Sequence, residues 1–258
     1  MMKARRHPGP VNRRAFNLIE VMIAVAIIGV LISVLLPALL HARQASQTTV
    51  CSSHLRQLGT AFQSYIQDNR RFPRTEASPE WHYGGVDFTG PDRLALLSAR
   101  RPLNAFYSER LPSTSGEHLA SFHCPGDRGL WRAGTNPRTP GPSVIGDRTC
   151  YEFYGNSYRA NALLMDSTQA GIDNMARPLA EHDITVSPAR LLIAGDAVWY
   201  YATRPVGNAE AGLDASWHGD PRSGNLVSLD GSVRFAAFSP EPQTAYTLSP
   251  RPATPPSN

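Results

Sequence analysis

The sequence predicts an α+β protein in which a long N-terminal helical spine packs on a C-terminal antiparallel β-sheet head. Three observations support this fold class. Residues 21–40 are almost entirely apolar and carry no ionisable side chain. Residues 51–66 repeat apolar side chains at helical spacing, and Asp230-Gly231 joins two segments that resemble strands.

Residues 16–40 are predicted to form a transmembrane helix. The 20 residues from Val21 to Leu40 would span ~30 Å at ~1.5 Å per residue, which is the thickness of a bilayer's hydrocarbon core. A cleaved secretory signal is the competing interpretation. It is disfavoured because the apolar run exceeds the ~7–15 residues of a signal core, and because no small-residue cleavage site follows Leu40.

Residues 1–15 are predicted to be a basic leader that stays in the cytoplasm. They contain five Lys or Arg residues and no acidic residue, as the positive-inside rule requires of a cytoplasmic segment. Of the 25 basic residues in the chain, 20 remain outside the leader against 21 acidic residues. The rest of the chain is therefore nearly neutral, and no nucleic-acid partner is expected.

Glu20 is the unusual residue of the predicted span. A carboxylate costs ~2.5–3.5 kcal/mol at the centre of a bilayer and less near the interface, so its presence calls for a partner. The alternative is an interfacial glutamate at the helix N-terminus, where the helix dipole favours a negative charge.

The string Ala15-Phe16-Asn17-Leu18-Ile19-Glu20-Val21 resembles the prepilin cleavage and methylation signature of type IV pilins and type II secretion pseudopilins. The resemblance implies that a prepilin peptidase cuts between Ala15 and Phe16 and methylates the new amino group. It also implies that Glu20 neutralises the N-terminus of a neighbouring subunit, and that Pro37 is the family's helix-bending proline. Ala15 stands where the family usually has Gly, and Asn17 where it usually has Thr.

The chain also resembles a narrower pseudopilin-like group that is abundant in planctomycetes. That group shares a cysteine-containing helix segment, a Cys-Pro-Ser-Asp element and a terminal His…Asp-Gly hairpin. The counterparts here are residues 51–59, then Cys124-Pro125-Gly126-Asp127, and finally His218 with Asp230-Gly231. Gly126 stands where the group usually has Ser.

These resemblances imply a structural subunit, a pseudopilin or minor pilin, of a type II secretion or type IV pilus-like filament. The chain would cross the bacterial inner membrane once, with the leader in the cytoplasm and the head in the periplasm, and would be filament-associated after assembly. Its partners would be the prepilin peptidase, other subunits, the assembly platform and membrane lipid. The alternative is a signal-anchored envelope binding protein that does not polymerise, which gives no reason for Glu20.

Residues 41–70 are predicted to be the amphipathic half of the spine, whose apolar stripe packs on the head. The stripe consists of Cys51, Leu55, Leu58, Phe62 and Ile66, and the helix should end near Asp68.

Residues 71–238 are predicted to form the head, and residues 239–258 a disordered tail rich in proline. Within the head we expect a short helix at residues 91–97 and a buried strand at residues 191–195. A two-residue type I′ turn at Asp230-Gly231 would pair Leu226 with Phe235 and rest that face of the hairpin on the spine.

The chain has three cysteines, and outside the cytoplasm a disulfide can persist. Three pairings are open. We favour Cys51 with Cys124, which would tie the spine to the loop-rich part of the head. The alternative is that Cys51 is only a small core residue.

Four side chains, together with Asp220, are candidate ligands for Ca²⁺, which prefers oxygen ligands: Asp127, Asp196, His218 and Asp230. Three of these residues have a structural alternative: Asp230 suits a turn, Asp127 suits a Pro-Gly-Asp loop, and His218 suits a hydrogen bond to a loop backbone. No cofactor is therefore expected. The sequence has no recognised nucleophile, zinc-protease or phosphate-loop motif, and an enzyme is not expected.

Overall fold

The computed structural model describes most of the 258-residue chain. The described residues are 18–75, 80–86, 101–107, 116–132, 145, 148–174, 176–203, 213–215, 217–219, 222–241 and 243–252. Ala15, Phe16, Asp220 and the helix predicted at residues 91–97 lie outside them.

The first element is helix α1, Leu18–Asn69, which runs without a break through Pro37. Its end is marked by Arg70, whose φ of 57° is left-handed and whose N–H donates to the Ile66 carbonyl at 2.8 Å. The single helical spine that the sequence predicts is thus confirmed over the described residues. The chain forms two compact units, one up to Arg43 and one from Gln44.

The first unit is an exposed apolar helix. All side chains from Leu18 to Leu40 are exposed. Among the residues that the structure describes, α1 is the one helix long and apolar enough to cross a membrane. Apolar side chains that find no cover within their own fold are expected to be covered by lipid or by another chain.

The second unit is built on an antiparallel sheet. Strands β2 (Tyr158–Ala160), β3 (Leu192–Asp196), β5 (Ser223–Ser228) and β6 (Val233–Ala237) pair in that order. Strands β1 (Trp131–Arg132) and β4 (Leu213–Asp214) form a separate pair. The short helices are α2 (Cys150–Tyr154), α3 (Ala162–Met165) and α4 (Val198–Ala202). The strand predicted at residues 191–195 is β3, and the α+β fold class is confirmed.

The second half of α1 packs on this sheet. Four of the five predicted stripe residues are fully buried, and Ile66 is half-buried against the same core. A Cβ added at Gly59 would lie 2.8 Å from Cγ2 of Val227, so the strand approaches the helix at a position where only glycine leaves room. Asn225, two residues earlier on the same face of β5, donates to the Thr48 carbonyl of α1 at 3.4 Å.

The hairpin between β5 and β6 has a different register from the predicted one. Leu226 pairs with Arg234 and Val227 with Val233. The turn is a three-residue loop, in which the Gly231 N–H donates to the Ser228 carbonyl and the Ser228 N–H donates to the Ser232 carbonyl, both at 2.9 Å. Within this loop, Gly231 is the one residue with a positive φ, which is 82°, as in a type I turn with a glycine bulge.

The register prediction is therefore wrong by one residue, and the prediction of which face of β5 meets the spine is wrong as well. Because side chains alternate along a strand, Asn225 and Val227 face α1 in place of Leu226 and Ser228. Asp230 favours the longer loop, because its Oδ1 accepts from the N–H of Ser232 at 2.9 Å and from its hydroxyl at 2.6 Å.

The prediction of a disordered tail is wrong for residues 243–252. Thr247 forms a parallel bridge with Leu191, its N–H donates to Arg190, and its carbonyl accepts from Leu192. Tyr246 is buried. The prolines do not prevent this packing, since the bonds of the segment are made through its other residues and through the Pro250 carbonyl, which accepts from Thr185 at 2.9 Å.

Candidate functional site: the apolar helix and a buried cluster

The apolar surface of α1 carries one charge. Glu20 is the only ionisable side chain from Leu18 to Leu40, and it lies exposed in the first described turn. Within the described part of the chain, none of the ion pairs involves Glu20. An unpaired carboxylate on a surface that suits lipid has a strong electrostatic preference for a cationic partner from another molecule.

A second site is the buried cluster, which we define as Cys51, Cys124, Asp196 and His218. Cys51 lies on α1, and Cys124 follows the 3₁₀ helix Gly116–Phe122. Asp196 ends β3, and His218 precedes β5. The core of the second unit thus gathers four chemically active side chains from four distant parts of the sequence, and all four are buried.

Cys51 and Cys124 form a disulfide in the structure, across a sequence separation of 73. This is the pairing that the sequence favours, and it joins α1 covalently to the head. Cys150, the third cysteine, is a buried thiol. Burial raises the pKa of the Cys150 thiol well above its usual value, so this residue is a poor nucleophile at neutral pH.

His218 is held on both sides of its ring. Its Nε2 lies 3.1 Å from Oδ2 of Asp196 and 3.5 Å from Sγ of Cys124, and its Nδ1 lies 3.2 Å from the Thr48 hydroxyl. A Cβ added at Gly126 would come within 2.9 Å of Cε1 of His218. The ring therefore occupies the space that any side chain at position 126 would need.

Asp196 is fully buried and only half-satisfied. Its Oδ2 accepts from the backbone N–H of Asn225 at 2.6 Å and from the Asn225 side chain at 3.0 Å. Its Oδ1 has no hydrogen-bond partner among the described residues. An unsatisfied oxygen on a buried carboxylate is costly, and such an atom often marks a binding position.

The structure does not bring the four predicted Ca²⁺ ligands together. Asp127 lies elsewhere and accepts four hydrogen bonds, from the N–H groups of Gly129, Cys150 and Tyr151 and from the Ser157 hydroxyl, at 2.7–3.0 Å. Burial raises the pKa of Asp127, and these four bonds oppose the rise. Asp230 is occupied in the hairpin turn. Asp196 and His218 are the two predicted ligands that meet.

Sequence reasoning missed Thr48 and Asn225, which orient His218 and Asp196. Thr48 precedes Cys51 by three residues, which places both on one face of a helix. Asn225 shares a strand face with Val227. These spacings are the signals that the sequence offers for Thr48 and Asn225. Neither spacing identifies a site residue unless the element packed against it is already known.

The N-terminal segment also matches a known family. Residues 11–36 match the prokaryotic N-terminal methylation motif, and the match runs into the exposed apolar helix that carries Glu20.

The chain is similar to type IV pilins and type II secretion pseudopilins.

Three curated proteins are similar to this chain. Type II secretion system core protein G of Aeromonas hydrophila is 28% identical over 128 residues, which is 50% of this chain and 80% of that protein. The protein of the same name from Pectobacterium carotovorum subsp. carotovorum is 34% identical over 65 residues, or 25% of this chain and 42% of that protein. The type IV wide pilus major component PilA4 of Thermus thermophilus is 36% identical over 67 residues, or 26% and 51%.

The chain thus spans about half the length, or less, of two of these relatives. Each of the three alignments covers at most half of this chain. No solved structure matches it significantly.

Proposed function

We propose that this chain is a structural subunit of a type II secretion or type IV pilus-like filament and that it performs no catalysis. The observation that supports the proposal most directly is the methylation motif at residues 11–36, continuous with an apolar helix whose only charge is Glu20. In such a filament the apolar helices of neighbouring subunits would pack together and cover one another.

The proposal includes a membrane stage. Before assembly, α1 would anchor the chain in the inner membrane with the basic leader on the cytoplasmic side and the head on the periplasmic side. The five basic residues of the leader support that orientation. A disulfide in the head supports it as well, because disulfides persist outside the reducing cytoplasm.

We expect the mature chain to begin at methylated Phe16. Ala15 is small, and if the peptidase needs a small residue before the cut, Ala15→Gly should be processed at least as well as the wild type. Ala15→Leu should accumulate as the uncut chain. N-terminal peptide mass spectrometry together with gel mobility measures both outcomes.

An intact Met1, or a cut after residue 40, would support the signal-anchored binding protein instead. Equal processing of Ala15→Gly and Ala15→Leu would remove peptidase recognition from the proposal. Each result is read on membrane-inserted protein, so that failed insertion is not mistaken for failed cleavage.

Glu20→Ala is expected to leave membrane insertion intact and to lower incorporation into filaments by about tenfold or more, equivalent to ~1.4 kcal/mol. The reason is that the positive N-terminus of the neighbouring subunit loses its partner in a medium of low dielectric constant. Sheared filament fractions and membrane fractions, compared by immunoblot, measure incorporation and insertion separately.

Ser33→Ala is the matched control for Glu20→Ala. Ser33 is the other polar side chain in this stretch that can be shortened, and its hydroxyl donates to the Val30 carbonyl of its own helix at 2.7 Å. It should assemble like the wild type. If Glu20→Ala also does so, Glu20 has no role in assembly.

A further inference from the structure

We propose that the buried cluster is a zinc site in its dithiol form, with Cys51, Cys124, Asp196 and His218 as the four ligands of one Zn²⁺. One ligand atom from each residue lies within 4.8 Å of the other three, and every one of these side chains is buried. The inference is independent of filament assembly, since all four residues belong to the second compact unit.

The donor set selects zinc. Two thiolates, one imidazole and one carboxylate are ligands that Zn²⁺ takes in tetrahedral geometry, at ~2.3 Å for sulfur and ~2.0–2.2 Å for nitrogen and oxygen. Ca²⁺ and Mg²⁺ require oxygen ligands, and sulfur excludes them. Reduction of the disulfide would let the two sulfurs separate to the ~3.8 Å that two ~2.3 Å bonds at a tetrahedral angle require. The other two ligand atoms already lie close to them.

The groups behind the ligands are already in place. Zinc-bound histidines usually donate their second ring N–H to a fixed acceptor, and here Nδ1 of His218 lies 3.2 Å from the Thr48 hydroxyl while Nε2 faces Cys124 and Asp196. Asn225 holds Oδ2 of Asp196 with two N–H groups.

That arrangement leaves Oδ1 of Asp196, which has no partner among the described residues, as a free ligand atom. A hydrophobic core gains nothing from a half-satisfied carboxylate, whereas a cation beside it would satisfy the oxygen and balance its charge. The cluster thus has the ligands and their supporting bonds, and the structure holds the two sulfurs as a disulfide.

Zinc and the disulfide are alternative links between α1 and the head. In the conversion, the two zinc-bound thiolates give two electrons to a protein disulfide oxidant and join as the Cys51–Cys124 bond. The two sulfurs of the oxidant take up two protons from water and leave as thiols, and Zn²⁺ is released. Bound zinc would therefore hold the head folded before oxidation and leave when the disulfide forms.

The test uses the whole chain in detergent micelles. Wild-type protein is unfolded, reduced, and refolded with Zn²⁺ under a phosphine reductant, and unbound metal is removed. We expect about one zinc per chain by elemental mass spectrometry in the reduced protein and none above background in the oxidised protein. Refolding with Co²⁺ should give the thiolate-to-cobalt charge-transfer absorption and the intense visible bands of a tetrahedral site.

Asp196→Asn and His218→Gln should each weaken zinc binding by more than about 100-fold, because even the loss of an outer-shell partner costs ~10–100-fold. Cys150→Ala is the matched control, since Cys150 is also a buried cysteine but is not in the cluster. It should bind zinc like the wild type. The oxidised form of each variant shows by circular dichroism whether the substitution itself prevents folding.

The proposal is overturned if the reduced wild type refolds without taking up metal, or does not refold even with zinc. It is also overturned if the folded Asp196→Asn and His218→Gln variants bind zinc as tightly as the wild type, or if Cys150→Ala loses the cobalt absorption. Each outcome is independent of whether the chain assembles into a filament.

Discussion

Phe62→Ala is expected to lower the free energy of unfolding of the head by about 3–5 kcal/mol, as other large-to-small changes in close-packed cores do. Phe62 is fully buried, and its ring lies 5.3 Å from that of Tyr83. The change would leave a cavity between the spine and the head. Chemical denaturation of a chain shortened to residues 44–258, the second compact unit, measures the effect without the apolar segment.

Arg56→Ala is the control, because Arg56 is exposed on the same helix and its change should cost no more than about 0.5 kcal/mol. Gln63, which follows Phe62 in the sequence, is unsuitable as a control because it is half-buried and its side chain donates to the Leu229 carbonyl at 3.1 Å. If Phe62→Ala and Arg56→Ala unfold at the same denaturant concentration, the packing of spine on head contributes nothing to stability.

Asp127→Ala is expected to destabilise the head by about 3–5 kcal/mol, because the change removes the acceptor from four buried donors at once. Asp127→Asn keeps one acceptor oxygen and should fall between the wild type and Asp127→Ala. Denaturant unfolding monitored by tryptophan fluorescence measures the series. Protease cleavage around residues 127–157 would report local opening of the segments that Asp127 joins.

Asp230→Ala provides the comparison, because Asp230 is an exposed aspartate whose carboxylate accepts both of its hydrogen bonds from Ser232 in its own turn. Its change should cost about 1 kcal/mol or less. Equal effects of Asp127→Ala and Asp230→Ala would show that Asp127 does not organise the head.

The spine was predictable because its signals are local. A run of apolar residues long enough to span a bilayer, followed by a stripe at helical spacing, determines a helix whatever the rest of the chain does. Phe62 could be assigned to the core on this basis. The Cys51–Cys124 pair could only be favoured over the other two pairings, since the spacing of the cysteines leaves all three open.

The hairpin register and the packed tail were not predictable, because each depends on a choice between states of nearly equal local energy. Asp-Gly suits both a two-residue turn and a longer loop with a glycine bulge, and the bond from Ser232 to Asp230 favours the second. The order of residues 243–252 comes from pairing Thr247 with Leu191, a contact between segments far apart in the sequence.

The candidate site was also predictable only in part. Asp196 and His218 could be named as residues with ligand chemistry, but nothing in the sequence says that Asp127 serves the backbone of α2 while Asp196 faces the disulfide. The difference arises from where β3 ends and from which loop reaches α1. Such relations appear only when the tertiary fold is known.

The Cys51–Cys124 bond also determines how the chain responds to mechanical load. When the two ends of the chain are pulled apart, tension enters along α1, crosses at Cys51 to Cys124, and continues towards the C-terminus. The segment between the two cysteines, which are separated by 73 positions and enclose Phe62 and the part of α1 after Cys51, carries none of that tension. At ~3.3–3.6 Å per residue, this segment could extend to roughly 250 Å, but it can do so only if the disulfide breaks.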